Sequence, residues 1–320
     1  MDFIEPLGEG LYAIDTGFQR PRFDAAFLLV DSGRAAFIDT GTNHAVPRLL
    51  AALEHLGLAR DAVDWVIPTH VHLDHAGGAG LLMRELPAAR LLVHPRGMRH
   101  MVDPSVLWAG ATAVYGEEEM QRSYGQLVAV PAERAEASHD GQRLAIGTRT
   151  LTLIDTPGHA RHHHCIWDER SRGWFTGDTF GLSYREFDTA AQGPWIMPTS
   201  TPVQFEPEAL RRSIERMMSF EPACMYLTHY ARIGEVPRLA ALLLDEIDET
   251  VAMASALRSA PDRHEALKAG LSAIYLHRVA EHGCDMPPQR VLELLELDIE
   301  LNAQGLAIWL GRSARKAPAS

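Results

Sequence analysis

Apolar residues follow two different rhythms along this chain, and the change between them divides it. In the first part, short apolar runs at 11–16, 25–30 and 35–39 read as strands, with Asp31-Ser32-Gly33 supplying a tight hairpin turn between the second and third. Val46, Leu49, Leu50 and Leu53 then recur at helical spacing up to Gly57, a natural helix terminator, and a strand follows at 65–68. Gly77-Gly78 opens another helix through Leu81, Leu82 and Leu86, and a buried strand returns at 91–94. Strand, helix, strand in succession is the grammar of an α/β layer.

The stretch 95–135 is less regular. Helices are expected at 96–101 and 105–115, and exposed loop at 116–119 and around Pro131, so the stretch reads as an insertion able to rim a pocket. Strand patterning resumes at 143–146, 151–155, 164–167 and 174–176, followed by a helix at 207–220 with Leu210, Ile214, Met217 and Met218 inward, and a strand at 225–228 that ends at His229. Beyond Pro237 the pattern is helical throughout: Leu239, Leu243, Ile247, Val251 and Ala254, then Leu267, Leu271, Ile274 and Val279, then Val291, Leu292, Leu295 and Ile299. The expected organisation is an α/β domain over 1–235 and a helical subdomain over 236–320, its small, basic tail from Ser313 fraying.

Composition narrows the class. A chain of 320 residues with 46% hydrophobic content can bury a sizeable core, and 30 basic against 42 acidic residues leave a formal charge of −12. That charge repels nucleic acid and anionic membranes and points to a small-molecule substrate. The three cysteines are far apart and form no Cys-x-x-Cys pair, which argues against a disulfide framework or a thiolate metal knot. The acidic start Met1-Asp2-Phe3-Ile4-Glu5 is unlike a secretion signal, and no apolar run reaches the roughly 18 residues of a membrane span. A cytoplasmic protein is expected.

The chemistry concentrates in Thr69-His70-Val71-His72-Leu73-Asp74-His75, directly after the strand at 65–68. An extended segment points His70 and His72 the same way, while Asp74 and His75 diverge towards a second position. His159 (in Thr-Pro-Gly-His), Asp178 (in Gly-Asp-Thr) and His229 (in Thr-His-Tyr) also stand where a strand gives way to a loop. Five imidazoles and two carboxylates without a thiolate suit two divalent cations, Zn²⁺ first, with Fe²⁺ and Mn²⁺ as alternatives. Tyr184 could donate to a developing oxyanion and Arg185 could bind a substrate carboxylate or phosphate, against a plain loop role for both. His162, His163 and His164 are assigned to packing or surface roles, and His44, His55, His94, His100 and His139 have no spacing argument.

The string His-x-His-x-Asp-His, then Thr-Pro-Gly-His, then Gly-Asp-Thr, then a late strand ending in His resembles the metallo-β-lactamase-fold metallohydrolases over about residues 10–232. The resemblance implies a four-layer αβ/βα sandwich. It also implies one cation on His70, His72 and His159, another on Asp74, His75 and His229, Asp178 bridging them, and a supporting role for Asp39. A hydroxide held between two cations is available at neutral pH, because coordination lowers the pKa of water from about 15.7 to about 7. It would attack a small ester, thioester or lactone, with Asp74 as proton carrier. The glyoxalase II and lactonase branches are the nearest in pattern, although lactonase relatives place a tyrosine three residues after the bridging aspartate, where Gly181 stands here. A mononuclear iron enzyme similar to persulfide dioxygenases, a phosphodiesterase and a metal-binding regulatory protein are the alternatives. For the helical subdomain, homodimerisation, covering the cleft and packing on the sandwich are all open.

Overall fold

The computed structural model describes residues 1–200 and 202–316. The chain divides into two compact units, each discontinuous in sequence. The first comprises 1–155, 162–177 and 222–233; the second comprises 156–161, 178–221 and the C-terminal part from Gly234.

The first unit carries both sheets. Strands β1 (Ile4–Gly8), β2 (Leu11–Asp15), β3 (Ala25–Asp31), β4 (Arg34–Ile38), β5 (Val63–Ile67), β6 (Arg90–Val93) and β7 (Ala135–Ala137) lie in that order in one sheet. It is antiparallel from β1 to β4 and parallel from β4 to β7. Parallel neighbours need crossovers, which α1 (Val46–His55) supplies from β4 to β5, α2 (Leu73–Ala76) and α3 (Ala79–Glu85) from β5 to β6, and the stretch 94–134 from β6 to β7. Strands β8 (Gln142–Ile146), β9 (Arg149–Asp155), β10 (His164–Asp168), β11 (Gly173–Gly177), β12 (Cys224–Leu227) and β13 (Ala231–Ile233) form the second sheet, in the order β13-β12-β11-β10-β9-β8. Its β11–β12 pair is parallel and the others are antiparallel.

Strand periodicity explains how one sheet serves two cores. Along β3, Ala25, Phe27 and Leu29 face a core shared with Leu151, Ile166, Phe175 and Tyr226 of the second sheet, whereas Ala26 and Leu28 join a core with Leu49, Leu53, Leu82 and Met83 of the helices. A strand covered on both faces reads as a continuous apolar run, as 25–30 does. The expected α/β sandwich is therefore present: two mixed sheets sharing an apolar core, with helices on the other face of the first. Inside it, Arg149 and Asp168 form a buried ion pair, Nε to Oδ1 2.7 Å. Burial raises the Asp168 pKa, but the bonds from Arg149 and Ser171 outweigh it and hold the carboxyl below its ordinary range.

Three strands escaped the sequence pattern: β1, β7 and β13, each at a sheet edge. An edge strand is covered on fewer sides, so its apolar signal is short. Within 95–135, α4 (Pro95–Val102) and α5 (Ser105–Tyr115) match the expected helices. The expected loop at 116–119 is instead a short turn, α6 (Glu117–Glu119), leading into a wider helical turn at Met120–Tyr124 that buries Met120 and Tyr124. Three glutamates opening the turn suit its positive N-terminal end, which the acidic run concealed.

The second unit is helical: α7 (Pro207–Met218), α8 (Val236–Ala256), α9 (Arg263–Glu281), α10 (Pro288–Leu294) and α11 (Glu296–Lys316). Leu239, Leu243 and Ile247 of α8 and Leu267, Leu271 and Val279 of α9 are buried, as their spacing indicated, but α8 also buries Glu246 and Thr250. The tail expected to fray from Ser313 remains helical through Lys316, and its last four residues, 317–320, lie outside the described residues. Among the described residues no helix is long and apolar enough to cross a membrane.

Candidate metal centre

Every expected ligand follows the end of a strand. Past β5, the backbone is still extended at His72 (φ −67°, ψ 152°) and becomes helical at Leu73, the first residue of α2. That single change separates the pairs. His70 and His72 share the extended segment, Nε2 of one 2.8 Å from Nδ1 of the other, while Asp74 and His75 ride on the helical turn.

Asp39, at the residue after β4, organises the first unit's donors. Its φ of +56° is a left-handed conformation that costs a non-glycine residue energy, and the surrounding bonds over-determine it. Oδ1 accepts from the Thr69 backbone N–H at 2.7 Å; Oδ2 accepts from His75 Nδ1 at 2.8 Å and from the Thr228 hydroxyl at 2.7 Å. The Thr69 hydroxyl lies 3.0 Å from both carboxylate oxygens and 3.2 Å from His70 Nδ1. Donating its one proton to Asp39, it is left to accept from His70, so one buried carboxylate sets the tautomers of His70 and His75 together.

His229 is set independently, Nδ1 donating to the Phe23 carbonyl at 2.9 Å. With Nδ1 occupied in both rings, the lone pairs of His75 and His229 sit on Nε2, and these lie 3.6 and 3.4 Å from Asp74 Oδ2. Asp74, His75 and His229 each offer a ligand atom, all within 4.8 Å of one another. Three acceptors converging in a buried place repel one another unless a cation or proton lies between them, and one carboxylate with two imidazoles is a donor set that fits Zn²⁺, Fe²⁺ or Mn²⁺.

In the second unit His159 and Asp178 are brought together, Nε2 to Oδ2 3.4 Å, both nearly excluded from solvent. The loop bearing His159 is pinned by Glu206 N–H on the Gly158 carbonyl (2.8 Å) and the Ser213 hydroxyl on the Pro157 carbonyl (2.7 Å). Gly158 is required there: at φ +143° a Cβ would stand 2.3 Å from the Leu210 backbone. Along the chain, His159 stands three residues before His162 and Asp178 directly follows Gly177, both in the first unit.

Tyr184 is fully buried, its hydroxyl donating to the Asp298 carboxylate of α11 at 3.1 and 3.2 Å. The Arg185 guanidinium donates to the Ser183 carbonyl and pairs with Asp188 at 3.2 Å. The three consecutive histidines are all buried in the first unit. His163 stacks on His70 with centroids 4.7 Å apart, and its ring together with Thr69 occupies the space where a Cβ on Gly177 would stand. His164 donates from Nε2 to the Pro68 carbonyl (2.9 Å) and bonds Ser138 through Nδ1 (2.8 Å); burial pushes its pKa down to about 3. Burial, then the neighbouring His72, takes His162 down to about 3 as well.

Sequence reasoning missed two residues beside these donors. Thr228, absorbed into an apolar strand, donates to Asp39. Asp24, at the head of β3, is a fully buried carboxyl. A charged residue abutting a long apolar run, in Phe23-Asp24-Ala25-Ala26-Phe27, was the signal available.

The metallo-beta-lactamase superfamily model matches residues 19–229, so the chain belongs to that superfamily, a group made up largely of hydrolases. It is similar to the metallo-beta-lactamase fold-containing protein ST1585 of Sulfurisphaera tokodaii: 24% identical over 225 residues, 69% of this chain and 78% of that one. The crystal structure of ST1585 superposes with a TM-score of 0.67 at 22% identity, covering 93% of this chain and 98% of the other, which shows the shared fold. Two further relatives are named as thioesterases. The acyl-coenzyme A thioesterase MBLAC2 of Gallus gallus is 28% identical over 54% of this chain and 64% of its own length. The atrochrysone carboxyl ACP thioesterase of Aspergillus fumigatus is 28% identical over 54% of this chain and 40% of its own length.

Proposed function

We propose that this chain is a dinuclear metal-dependent hydrolase that cleaves a small ester, thioester or lactone. The observation that carries the reading is the convergence of His75 Nε2 and His229 Nε2 on Asp74 Oδ2, with each imidazole's other nitrogen already committed. In this reading Asp74, His75 and His229 hold one cation, His70, His72 and His159 hold the other, and Asp178 serves both. The connectivity supports the second set, because His159 and Asp178 are tethered within a few residues of strands β10 and β11. Two divalent cations would supply Lewis acidity and make a water acidic enough to act as nucleophile near neutral pH.

The chain's own residues do the rest. Asp39 and Thr69 hold the His70 and His75 rings so that no reorientation is needed when the site works. Asp74 has the most exposed side chain of its trio, at 24%, so its carboxylate could take up the proton released by the attacking water and pass it to the group that departs from the substrate. Tyr184 and Arg185 take a narrower role than substrate contact: bonded to Asp298, Ser183 and Asp188, they shape the segment that follows Asp178. The thioesterase names among the relatives favour thioesters as the first substrates to try, and the acidic balance favours small molecules over nucleic acid.

Metal analysis of the purified chain, with a panel of esters, thioesters and lactones, tests the reading. Two cations per chain are expected, with turnover that a chelator abolishes and Zn²⁺ restores, and Asp178→Asn lowering kcat by on the order of 100-fold. One iron per chain with oxygen uptake on a persulfide, or no turnover anywhere in the panel, would overturn it.

A further inference from the structure

Asp24 is fully buried, and its carboxylate is half engaged. The Thr16 hydroxyl donates to Oδ1, whereas among the described residues Oδ2 has no hydrogen-bond partner and is closed to solvent. Leaving such an oxygen unmatched costs free energy, so its retention calls for a reason. Backbone bonds on either side of Asp24 clamp it beside the last expected ligand: the Phe23 carbonyl accepts from His229 Nδ1 at 2.9 Å, and the Ala25 N–H donates to the Thr228 carbonyl at 2.8 Å. The Phe23 ring also packs edge-on against His229, centroids 5.2 Å apart. Arg48 pairs with Asp15 at 3.7 Å, and the Arg20 guanidinium lies over the Phe23 ring, 4.7 Å from its centroid.

We propose that Asp24 is a positioning residue for the cation at Asp74, His75 and His229, its uncommitted carboxylate oxygen supplying negative charge that strengthens this position selectively. The inference rests on the metal-centre reading above and adds a residue to it. Burial raises the carboxyl's pKa well above the ordinary range; His229 lowers it, Asp74 raises it, His75 lowers it and Asp15 raises it, so the groups acting on Asp24 are those of this trio and its own hairpin. A divalent charge among them would be the counter-ion for the buried Asp24 carboxylate and the partly buried Asp74 carboxylate, which otherwise repel. The cost of burying Asp24 is then borne by the metal-free protein and recovered when the cation binds.

Asp24→Asn separates this role from a structural one, because the two predict opposite signs. Asparagine keeps an oxygen for Thr16 and removes the charge. Stepwise Zn²⁺ titration against a chromophoric chelator should show the affinity of the Asp74-His75-His229 position falling by about 10–100-fold while the other position is unchanged. The metal-free variant should melt at the same temperature as wild type or higher. His229→Ala identifies which step of the titration belongs to the trio, and adding Asp24→Asn to it should cause no further loss. Unchanged Zn²⁺ affinity in Asp24→Asn, or equal weakening of both positions with a lower melting temperature without metal, would overturn the inference while leaving the two-metal reading intact. A wild-type chain that binds no cation at the trio would overturn both.

Discussion

Asp39 in the first unit and Glu246 in the second are both carboxyls taken out of water, and they have been treated in opposite ways. Asp39 accepts from a backbone N–H, an imidazole and two hydroxyls, and both its oxygens are used. Glu246 lies on the buried face of α8 and, among the described residues, neither its Oε1 nor, one turn on, the Thr250 hydroxyl has a hydrogen-bond partner. Burial raises its pKa to about 8, only partly opposed by Arg278 and reinforced by Glu249 and Asp245. A carboxylate given a full set of donors stays available as an anchor for other side chains. One buried without them becomes a neutral acid, and the protein's stability inherits its titration.

Three substitutions test that contrast. The largest effect is expected at Asp39. Asparagine has one acceptor oxygen where both carboxylate oxygens accept, so Asp39→Asn must leave its NH₂ facing a donor from Thr69, His75 or Thr228. Cation affinity at the His75 position should drop by about 10–100-fold in a chelator competition, and unaltered affinity would remove Asp39 from its organising role.

Glu246→Gln should act in the other direction. In wild type the folded chain holds a proton on Glu246 that the unfolded chain releases above its ordinary pKa of 4.5. Stability contributed by the protonated acid is therefore full below about pH 4.5 and is lost as pH rises through about 8. The glutamine variant should flatten that slope and raise Tm by about 5 °C at pH 8, with little change at pH 5. Melting curves across this range check it, and parallel pH profiles for the two proteins would mean that Glu246 is already satisfied.

The smallest effect is expected at Tyr184, which belongs to the same helical unit but is bonded to Asp298. Tyr184→Phe should cost about 1 kcal/mol in denaturant unfolding. Its kcat should stay within a few-fold of wild type, since loss of a direct oxyanion donor would instead cost on the order of 100-fold.

Much of the molecule was legible in the chain itself. The central strands announced themselves because residues covered on both faces leave uninterrupted apolar runs, and the α1, α3 and C-terminal helices because one buried face repeats at helical spacing. The ligand motif was legible because the chain's passage from extended at His72 to helical at Leu73 lies within seven residues, so sequence separation and spatial divergence are the same fact. The edge strands β1, β7 and β13 were not, since an edge is defined by what lies beside it rather than by its own residues.

The chain's own pattern therefore specified local features: the alternation of strands and helices, the helical C-terminus, and the kinds of donor that stand at strand ends. Tertiary contacts settle which nitrogen of His75 and of His229 remains for a ligand, because that depends on Asp39 lying against Thr69, His75 and Thr228, and on Phe23 lying against His229, partners remote in the chain. They also settle that Asp24 and Glu246 are each buried with an oxygen that has no hydrogen-bond partner among the described residues, and that the Tyr184 hydroxyl donates to Asp298. Hydrogen bonding and burial are relations between segments, and a residue's type sets what it can offer without setting what it meets.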